Sequence, residues 1–220
     1  MKLKERIRRY SLFTLGIFTI ALGISIFVRT NLGTPPFSST PYVFSENTPL
    51  SIGTCIFTLF MVCLAAQLIL LGKRGIIENR VNLIAQIPIS FFFGFFTDLT
   101  MWMLSDFAPE GYAIRIISLL VGCAILALGI SFEVAANVFM TSSEYTIQII
   151  SKRFNKEFGI VKMLFDLTLV SLAVISSLIF TSTIIGVREG TIVAALTVGP
   201  IVKIIMPRLG FLTRWLTGKS

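Results

Sequence analysis

The sequence contains no histidine and only three cysteines among its 220 residues. Without histidine, a histidine-based metal centre and a serine–histidine catalytic triad are both excluded. Cys55, Cys63 and Cys123 lie inside apolar stretches, where a cysteine is more often a small buried hydrophobe than half of a disulfide or a metal ligand. The sequence also lacks a Walker A loop. It therefore predicts that the protein is not an enzyme and that it holds no metal or cofactor.

Charged residues are also scarce: they make up 14% of the chain, whereas 55% is hydrophobic and the mean hydropathy is +0.87. A soluble domain carries about a quarter charged residues, and its apolar runs seldom reach the ~20 residues that cross a bilayer. The net charge of +8 comes from short Lys and Arg runs between apolar stretches. Membrane topology explains these runs better than nucleic-acid binding does. The chain is predicted to be a single transmembrane domain, residues 1–220.

The pentapeptide ALGIS occurs twice, at residues 21–25 and at residues 127–131. The same offset of 106 residues aligns further identical residues, among them Arg9 with Arg115, Gly16 with Gly122, Asn31 with Asn137 and Gly53 with Gly159. A repeat of this length indicates that the chain consists of two copies of one structural unit. We assign repeat one to residues 1–104 and repeat two to residues 105–220.

Apolar runs predict an all-α protein with six transmembrane helices, three in each repeat. These helices lie at about 10–28, 52–71, 81–104, 116–136, 158–180 and 190–206, with the basic loop GKRGIIENR between the second and the third. If both termini are cytoplasmic, only Arg29, Arg115 and Arg188 fall outside, which satisfies the positive-inside rule. Because each repeat crosses three times, the second copy is inverted relative to the first. Inverted repeats are typical of secondary transporters, which bind solute at the repeat interface.

A short or broken helix is predicted after the first and the fourth transmembrane helix. In repeat one, Thr34 is expected to cap a helix whose first residue is Pro35. In repeat two, Thr141 and Glu144 match the T-x-x-E capping box. The N-terminus of such a helix presents free N–H groups and the positive end of a dipole to a ligand. The alternative interpretation is that both connections are ordinary surface loops with ordinary caps.

The candidate solute- or ion-binding residues fall into two classes. Polar residues of the two connections form the first class: Asn31, Thr34, Ser38, Ser39, Asn137, Ser142, Ser143 and Glu144. Charged residues at membrane depth or at the start of the last helix form the second class: Asp98, Glu133, Lys162, Asp166 and Arg188. Charges at that depth are costly and usually face a cavity or a partner.

Three expectations refine this set. Lys162 and Asp166 are four residues apart on one helix, so they can form an ion pair. Glu133 and Glu144 are expected to border one cytoplasmic-side cavity. Arg188 has two interpretations, as a ligand for an anionic group and as an anchor at the membrane interface.

Several segments resemble the YitT/YczE-type bacterial membrane proteins, the YczE/YyaS/YitT group. In the first half these segments are LGTPPFSSTPYVFS, PLSIGT and GFFTDL, and in the second half they are FGIVKMLFDLTLV and GVREGTIVAALTVGPIVK. The resemblance covers nearly the whole chain. It implies a multi-pass protein of the bacterial inner membrane, in a group thought to consist of transporters, and it indicates no substrate.

These observations predict a secondary transporter of a small polar solute, with an anionic solute as one option. Glu133, Glu144 and Asp166 are the candidates for coupling to H⁺ or Na⁺, and Lys162 or Arg188 would then pair with an anion. The alternatives are a non-transporting assembly or regulatory subunit and a passive channel. The expected partners are the solute, the coupling ion and the lipid bilayer, without nucleic acid. The sequence does not decide whether the protein forms a homodimer, because the small residues of the last helix suit a dimer contact as well as an internal contact.

Overall fold

The computed structural model describes residues 3–209, which form seven α-helices and no strand. The helices are α1 (Leu3–Thr30), α2 (Pro36–Asn47), α3 (Ile52–Met103), α4 (Tyr112–Ala136), α5 (Ser142–Phe154), α6 (Phe158–Thr181) and α7 (Glu189–Arg208). Five of these, all except α2 and α5, are long and apolar enough to cross a membrane. The prediction of an all-α, multi-pass membrane protein is confirmed. The C-terminal end, which was predicted to be cytoplasmic, lies outside the described residues.

The long helix α3 is interrupted at Gly72, where φ is 61° and ψ is 178°. Glycine adopts this backbone conformation, whereas other residues are strained by it. The interruption divides α3 into two arms, 52–71 and 73–103. The arms run antiparallel, because Gln67 bonds to Gln86 near the interruption and Ser51 bonds to Asp98 at the far end. The predicted basic loop is helical apart from Gly72, since most of its residues are adequate helix formers.

The offset of 106 residues reappears in the boundaries of the helices. Three pairs of boundaries show it: α1 and α4 end at Thr30 and Ala136, α2 and α5 begin at Pro36 and Ser142, and α3 and α6 begin at Ile52 and Phe158. The residues after α1 and α4, Asn31 and Asn137, both have left-handed backbones with φ of 54° and 47°. Asparagine tolerates this conformation better than most residues. Both halves of the chain therefore share one local structure.

The described residues divide into two compact units. Unit 1 contains residues 3–35, 99–138 and 186–209, with α1, α4 and α7; unit 2 contains residues 36–98 and 139–185, with α2, most of α3, α5 and α6. Each unit therefore includes segments from both sequence repeats.

In unit 1, the two ALGIS motifs bring α1 and α4 into close antiparallel contact. A Cβ added to Gly129 would lie 2.6 Å from the backbone nitrogen of Ile20, and a Cβ added to Gly23 would lie 3.0 Å from that of Leu126. The two contacts are related by the repeat, because Leu126 lies 106 residues after Ile20 and Gly129 lies 106 residues after Gly23. A local pseudo-two-fold axis therefore relates α1 and α4, and their glycines allow the two backbones to approach closely.

Candidate functional site

In unit 2, two buried glutamines of α3 hold the first turn of α5. The side-chain nitrogen of Gln67 lies within hydrogen-bonding distance of Gln86 Oε1 (2.9 Å), the Ser142 carbonyl oxygen (2.9 Å) and Thr146 Oγ1 (3.0 Å). Gln86 donates in return to Gln67 Oε1 at 3.0 Å. A buried amide without a hydrogen bond is costly, so these bonds fix the position of α5 against both arms of α3. We call these four residues the amide cluster.

The N-terminus of α5 is formed differently from the prediction. Thr141 is the N-cap residue, but its side chain makes no capping hydrogen bond, so the predicted capping box is wrong. The Thr141 hydroxyl lies 3.5 Å from the Ser143 hydroxyl instead, and Ser142 Oγ lies 3.3 Å from Ser90 Oγ. The first backbone N–H groups of α5 have no acceptor within the helix itself. Ser142 and Ser143 thus lie at a helix start whose first N–H groups have no partner within α5.

Next to this helix start is a charged triad formed by Glu144 of α5 and by Lys162 and Asp166 of α6. Lys162 Nζ lies 3.6 Å from Asp166 Oδ2, as the four-residue spacing predicted. Glu144 is near enough to interact electrostatically with both. The other oxygen of Asp166, Oδ1, is buried and has no hydrogen-bond partner among residues 3–209. The triad contains two carboxyl groups and one ammonium group, so it can accept one further positive charge.

In unit 1, Thr34 bonds to the segment that precedes α7. Its backbone N–H and its hydroxyl both donate to the Gly186 carbonyl oxygen, at 2.9 Å and 3.2 Å. The helix after Thr34 begins at Pro36 rather than at Pro35. A hydroxyl that donates to Gly186 can still accept a hydrogen bond, so the role of Thr34 as a cap of this helix stays a prediction.

Arg188 and Asn31 meet in the same region of unit 1. Arg188 Nη1 donates to the Asn31 carbonyl oxygen at 3.1 Å, and the Gly190 N–H donates to the Leu32 carbonyl oxygen at 2.8 Å. Gly33, with φ of 113°, leaves no room for a side chain, because a Cβ would lie 2.7 Å from Thr191 Oγ1. The LGTPP and GVREGT segments are therefore structural partners. We call this contact the loop clasp.

Asp98 caps the start of α3 from the opposite arm of the same helix. Its Oδ1 accepts the Gly53 N–H at 2.8 Å, and its Oδ2 accepts the Ser51 hydroxyl at 2.6 Å. A carboxylate is stabilised at a helix N-terminus by the free N–H groups and by the dipole. Gly94 lies against Gly53, since a Cβ on Gly94 would be 2.6 Å from the Gly53 carbonyl oxygen. We call these four residues the α3 latch.

The other predicted residues are distributed over both units. Ser38 and Ser39 are buried in α2 of unit 2, and Glu133 is buried in α4 of unit 1. Asn137 ends α4 in the left-handed conformation. That Glu133 and Glu144 border one cavity stays a prediction.

In the described part of the chain the candidate residues form no metal centre, and they do not line the apolar groove of unit 2. Within residues 3–209, no group of three or more His, Cys, Asp or Glu side chains is arranged to hold a metal ion. The groove, of about 250 Å³, lies between α2 and the first arm of α3, with Pro41, Phe44, Cys55 and Leu59 in its walls. Its mostly apolar walls suit a hydrocarbon chain better than a polar solute. The amide cluster and the charged triad therefore remain the polar site of unit 2.

The comparison with known proteins gives a family and one relative. A sequence model described as "Family of unknown function (DUF6198)" matches residues 7–207, from the start of α1 almost to the end of α7. The chain belongs to the DUF6198 family. This DUF6198 protein is also 24% identical over 204 residues to a Bacillus subtilis (strain 168) protein named "Uncharacterized protein YyaS", covering 90% of this chain and 92% of the relative. The predicted resemblance is thus confirmed for YyaS. No solved structure matches the chain.

Sequence reasoning missed part of the polar site of this DUF6198 protein. Gln67, Gln86 and Ser90 were not predicted, although all three are buried and bonded to one another or to α5. Their signal was an amide or hydroxyl inside a long apolar run, as in AAQLILL and AQIPIS. A polar side chain there must find a partner inside the protein, so such residues mark buried hydrogen-bond networks even when they carry no charge.

Proposed function

We propose that this DUF6198 protein is a secondary transporter of a small polar solute, with six membrane crossings arranged as two inverted repeats. Each arm of α3 reaches the ~20 residues that a crossing requires, and the arms are antiparallel. Together with α1, α4, α6 and α7, the two arms make six crossings. The antiparallel, pseudo-symmetric contact of α1 with α4 supports inversion of the second repeat. Kinship with YitT and YczE, beyond YyaS, is part of this proposal.

The proposed location is the bacterial inner membrane, with both termini in the cytoplasm. This orientation places the basic residues around Gly72 and at the end of α5 on the cytoplasmic side, as the positive-inside rule requires. Arg188 and Asn31, which meet in the loop clasp, then lie on the opposite side.

The solute site in this proposal is the start of α5, beside the charged triad. The observation that carries it is the buried, unpartnered Oδ1 of Asp166 next to an ammonium group and a second carboxylate. An uncompensated carboxylate at this depth is costly, and binding H⁺ or Na⁺ would relieve the cost. Ser142 and Ser143 supply hydroxyl groups for a polar solute. Asp98, Thr34, Asn31 and Arg188 bond within the protein, and we assign them to its structure rather than to the solute.

A ligand screen with matched variants tests this proposal. Purified full-length protein is heated with polar acids, amines and zwitterions at acid and neutral pH. A ligand that binds only the folded state stabilises it by about 2.7 kcal/mol when its concentration is 100 times Kd, so Tm rises. We expect at least one such ligand, and we expect Glu144→Gln or Asp166→Asn to weaken its binding at least tenfold. Removing one partner of a buried charge interaction typically has such an effect.

The matched control for the screen is Glu157→Gln, which removes the same charge from an exposed position just before α6. It should leave ligand binding within twofold of the unchanged protein. If the screen finds a ligand whose binding survives both triad variants, the assigned site is wrong. If no ligand is found and a second protein co-purifies, the assembly or regulatory subunit becomes the better interpretation.

A further inference from the structure

A basic face lies where the interruption of α3 meets the end of α5 in unit 2. Its members are six exposed cationic side chains: Lys73, Arg74 and Arg80 of α3, Lys152 and Arg153 of α5, and Lys156 just after α5. The two segments that carry them are separate in sequence. Tertiary packing brings them together on one surface.

Specific contacts hold these two segments in place. Arg153 Nη1 donates to the Leu70 carbonyl oxygen at 2.6 Å, at the last turn before the interruption in α3. The Tyr145 hydroxyl donates to Asn79 Oδ1 at 2.8 Å. Tyr145 and Ile149 also pack with Leu83, and partly buried residues of α3 cover them. The basic face is therefore a fixed feature of the folded unit rather than a set of independent loop charges.

Most of the positive charge of this face is uncompensated within the protein. Arg74 pairs with Glu78 at 3.4 Å. In the described part of the chain, no carboxylate lies within ion-pairing distance of Lys73, Arg80, Lys152 or Lys156. Four unpaired cations on one surface attract an anion strongly at low ionic strength. The positive-inside rule accounts for basic residues on this side of the membrane. It does not require that the fold bring them together on one surface.

Large apolar side chains are exposed beside the same charges. Ile77 is 68% exposed, Val81 66% and Phe154 61%. A soluble anion would gain nothing from these residues. A phospholipid offers both a phosphate for the cations and acyl chains for the apolar side chains, the combination that basic clusters at helix ends recognise.

We propose that the basic face binds the headgroup of an anionic phospholipid, with the acyl chains along Ile77, Val81 and Phe154. α5 is 13 residues long, so about 18 Å separates the basic residues at its end from the proposed solute site at its start. The lipid would therefore hold the helix that positions this site. Only this last consequence rests on the proposed function; lipid binding itself does not.

The test uses purified, delipidated full-length protein in a neutral detergent. Phosphatidylglycerol is added as the anionic probe, phosphatidylcholine with the same chains as the neutral lipid, and inorganic phosphate as the free anion. We expect phosphatidylglycerol to raise Tm and to bind at least tenfold more tightly than phosphatidylcholine, and salt to reduce this difference by screening the charges. Inorganic phosphate should give no comparable shift in Tm. Equal affinity for both lipids, or an equal effect of inorganic phosphate, would overturn the proposal.

Charge variants locate the binding site. Lys152→Gln with Lys156→Gln should weaken phosphatidylglycerol binding about tenfold or more, because each cation near an anionic lipid contributes on the order of 1 kcal/mol. The matched control is Lys4→Gln with Arg6→Gln, which removes two exposed charges from the start of α1 and should change the affinity less than threefold. An equal loss in the control would contradict the site. If the Lys152 and Lys156 variant does not fold, Lys152→Ala alone is compared with Lys4→Ala in the same assay.

Discussion

Replacing Gly129 by valine is expected to destabilise unit 1 strongly. A Cβ at this position would lie 2.6 Å from the Ile20 nitrogen and 2.9 Å from the Gly16 carbonyl oxygen. Both are backbone atoms, so no rotamer change relieves the overlap, and α1 must separate from α4. Overpacking of a tight contact costs about 1–3 kcal/mol and occasionally more; here we expect on the order of 3 kcal/mol or more. The measurement is Tm, together with the yield of monodisperse protein in detergent.

The control for this change is Gly199→Val in α7. Apart from its chain neighbours and the backbone of its own helix, no atom of the described residues lies within 4 Å of a Cβ added there. We expect the control to change stability by only ~0.5 kcal/mol, as surface substitutions usually do. If Gly129→Val melts at the same temperature as the unchanged protein, the close contact of the two ALGIS motifs is wrong, and with it the pseudo-two-fold relation of α1 and α4.

Replacing Gly53 by leucine is expected to open the α3 latch in unit 2. A Cβ on Gly53 would overlap the Gly94 carbonyl oxygen and lie 2.6 Å from Asp98 Cγ. The substitution therefore separates the arms of α3 and removes Asp98 from the N–H and hydroxyl groups it accepts. Loss of a helix cap alone costs about 0.5–2 kcal/mol, and the steric overlap adds to it. We expect a large fall in Tm, comparable with that of Gly129→Val.

The repeat provides the matched control, Gly159→Leu, 106 residues later at the second position of α6. A Cβ there meets only Glu157 Oε1, at 4.0 Å. This variant should keep a Tm near that of the unchanged protein. If Gly53→Leu is tolerated as well as Gly159→Leu, Asp98 does not hold the two arms together, and its proposed structural role is wrong.

The sequence predicted the fold well where the determining signal is local. The ALGIS motifs predicted an offset that the end of α1 and the starts of α2 and α3 reproduce in repeat two. Long apolar runs predicted the membrane helices, and the four-residue spacing predicted the pair of Lys162 with Asp166. The last two signals depend on neighbours within one helix or on helix length, and the repeat is read directly from the sequence.

The roles of individual polar residues were harder to predict because their partners are distant in sequence. The hydroxyl of Thr34 donates to the carbonyl oxygen of Gly186, 152 residues away, a bond that no local pattern predicted. Asp98 was expected at a solute site, yet it caps the other arm of its own helix. A local pattern shows that a group can make a bond, whereas the tertiary fold decides which acceptor or donor is nearest.

The proposed transport function requires that the solute site open alternately to the two sides of the membrane, and sided labelling of Ser143→Cys tests this requirement most directly. Cys55, Cys63 and Cys123 are first replaced by alanine, so that only the new thiol reacts. Glu110→Cys and Lys152→Cys, both exposed, calibrate the outer and the cytoplasmic side. The account predicts that a membrane-impermeant thiol reagent reaches Ser143→Cys from either side, and that a pH gradient or a bound solute changes the ratio of the two labelling rates. Labelling from one side only under all conditions, or from both sides at a fixed ratio, would contradict it.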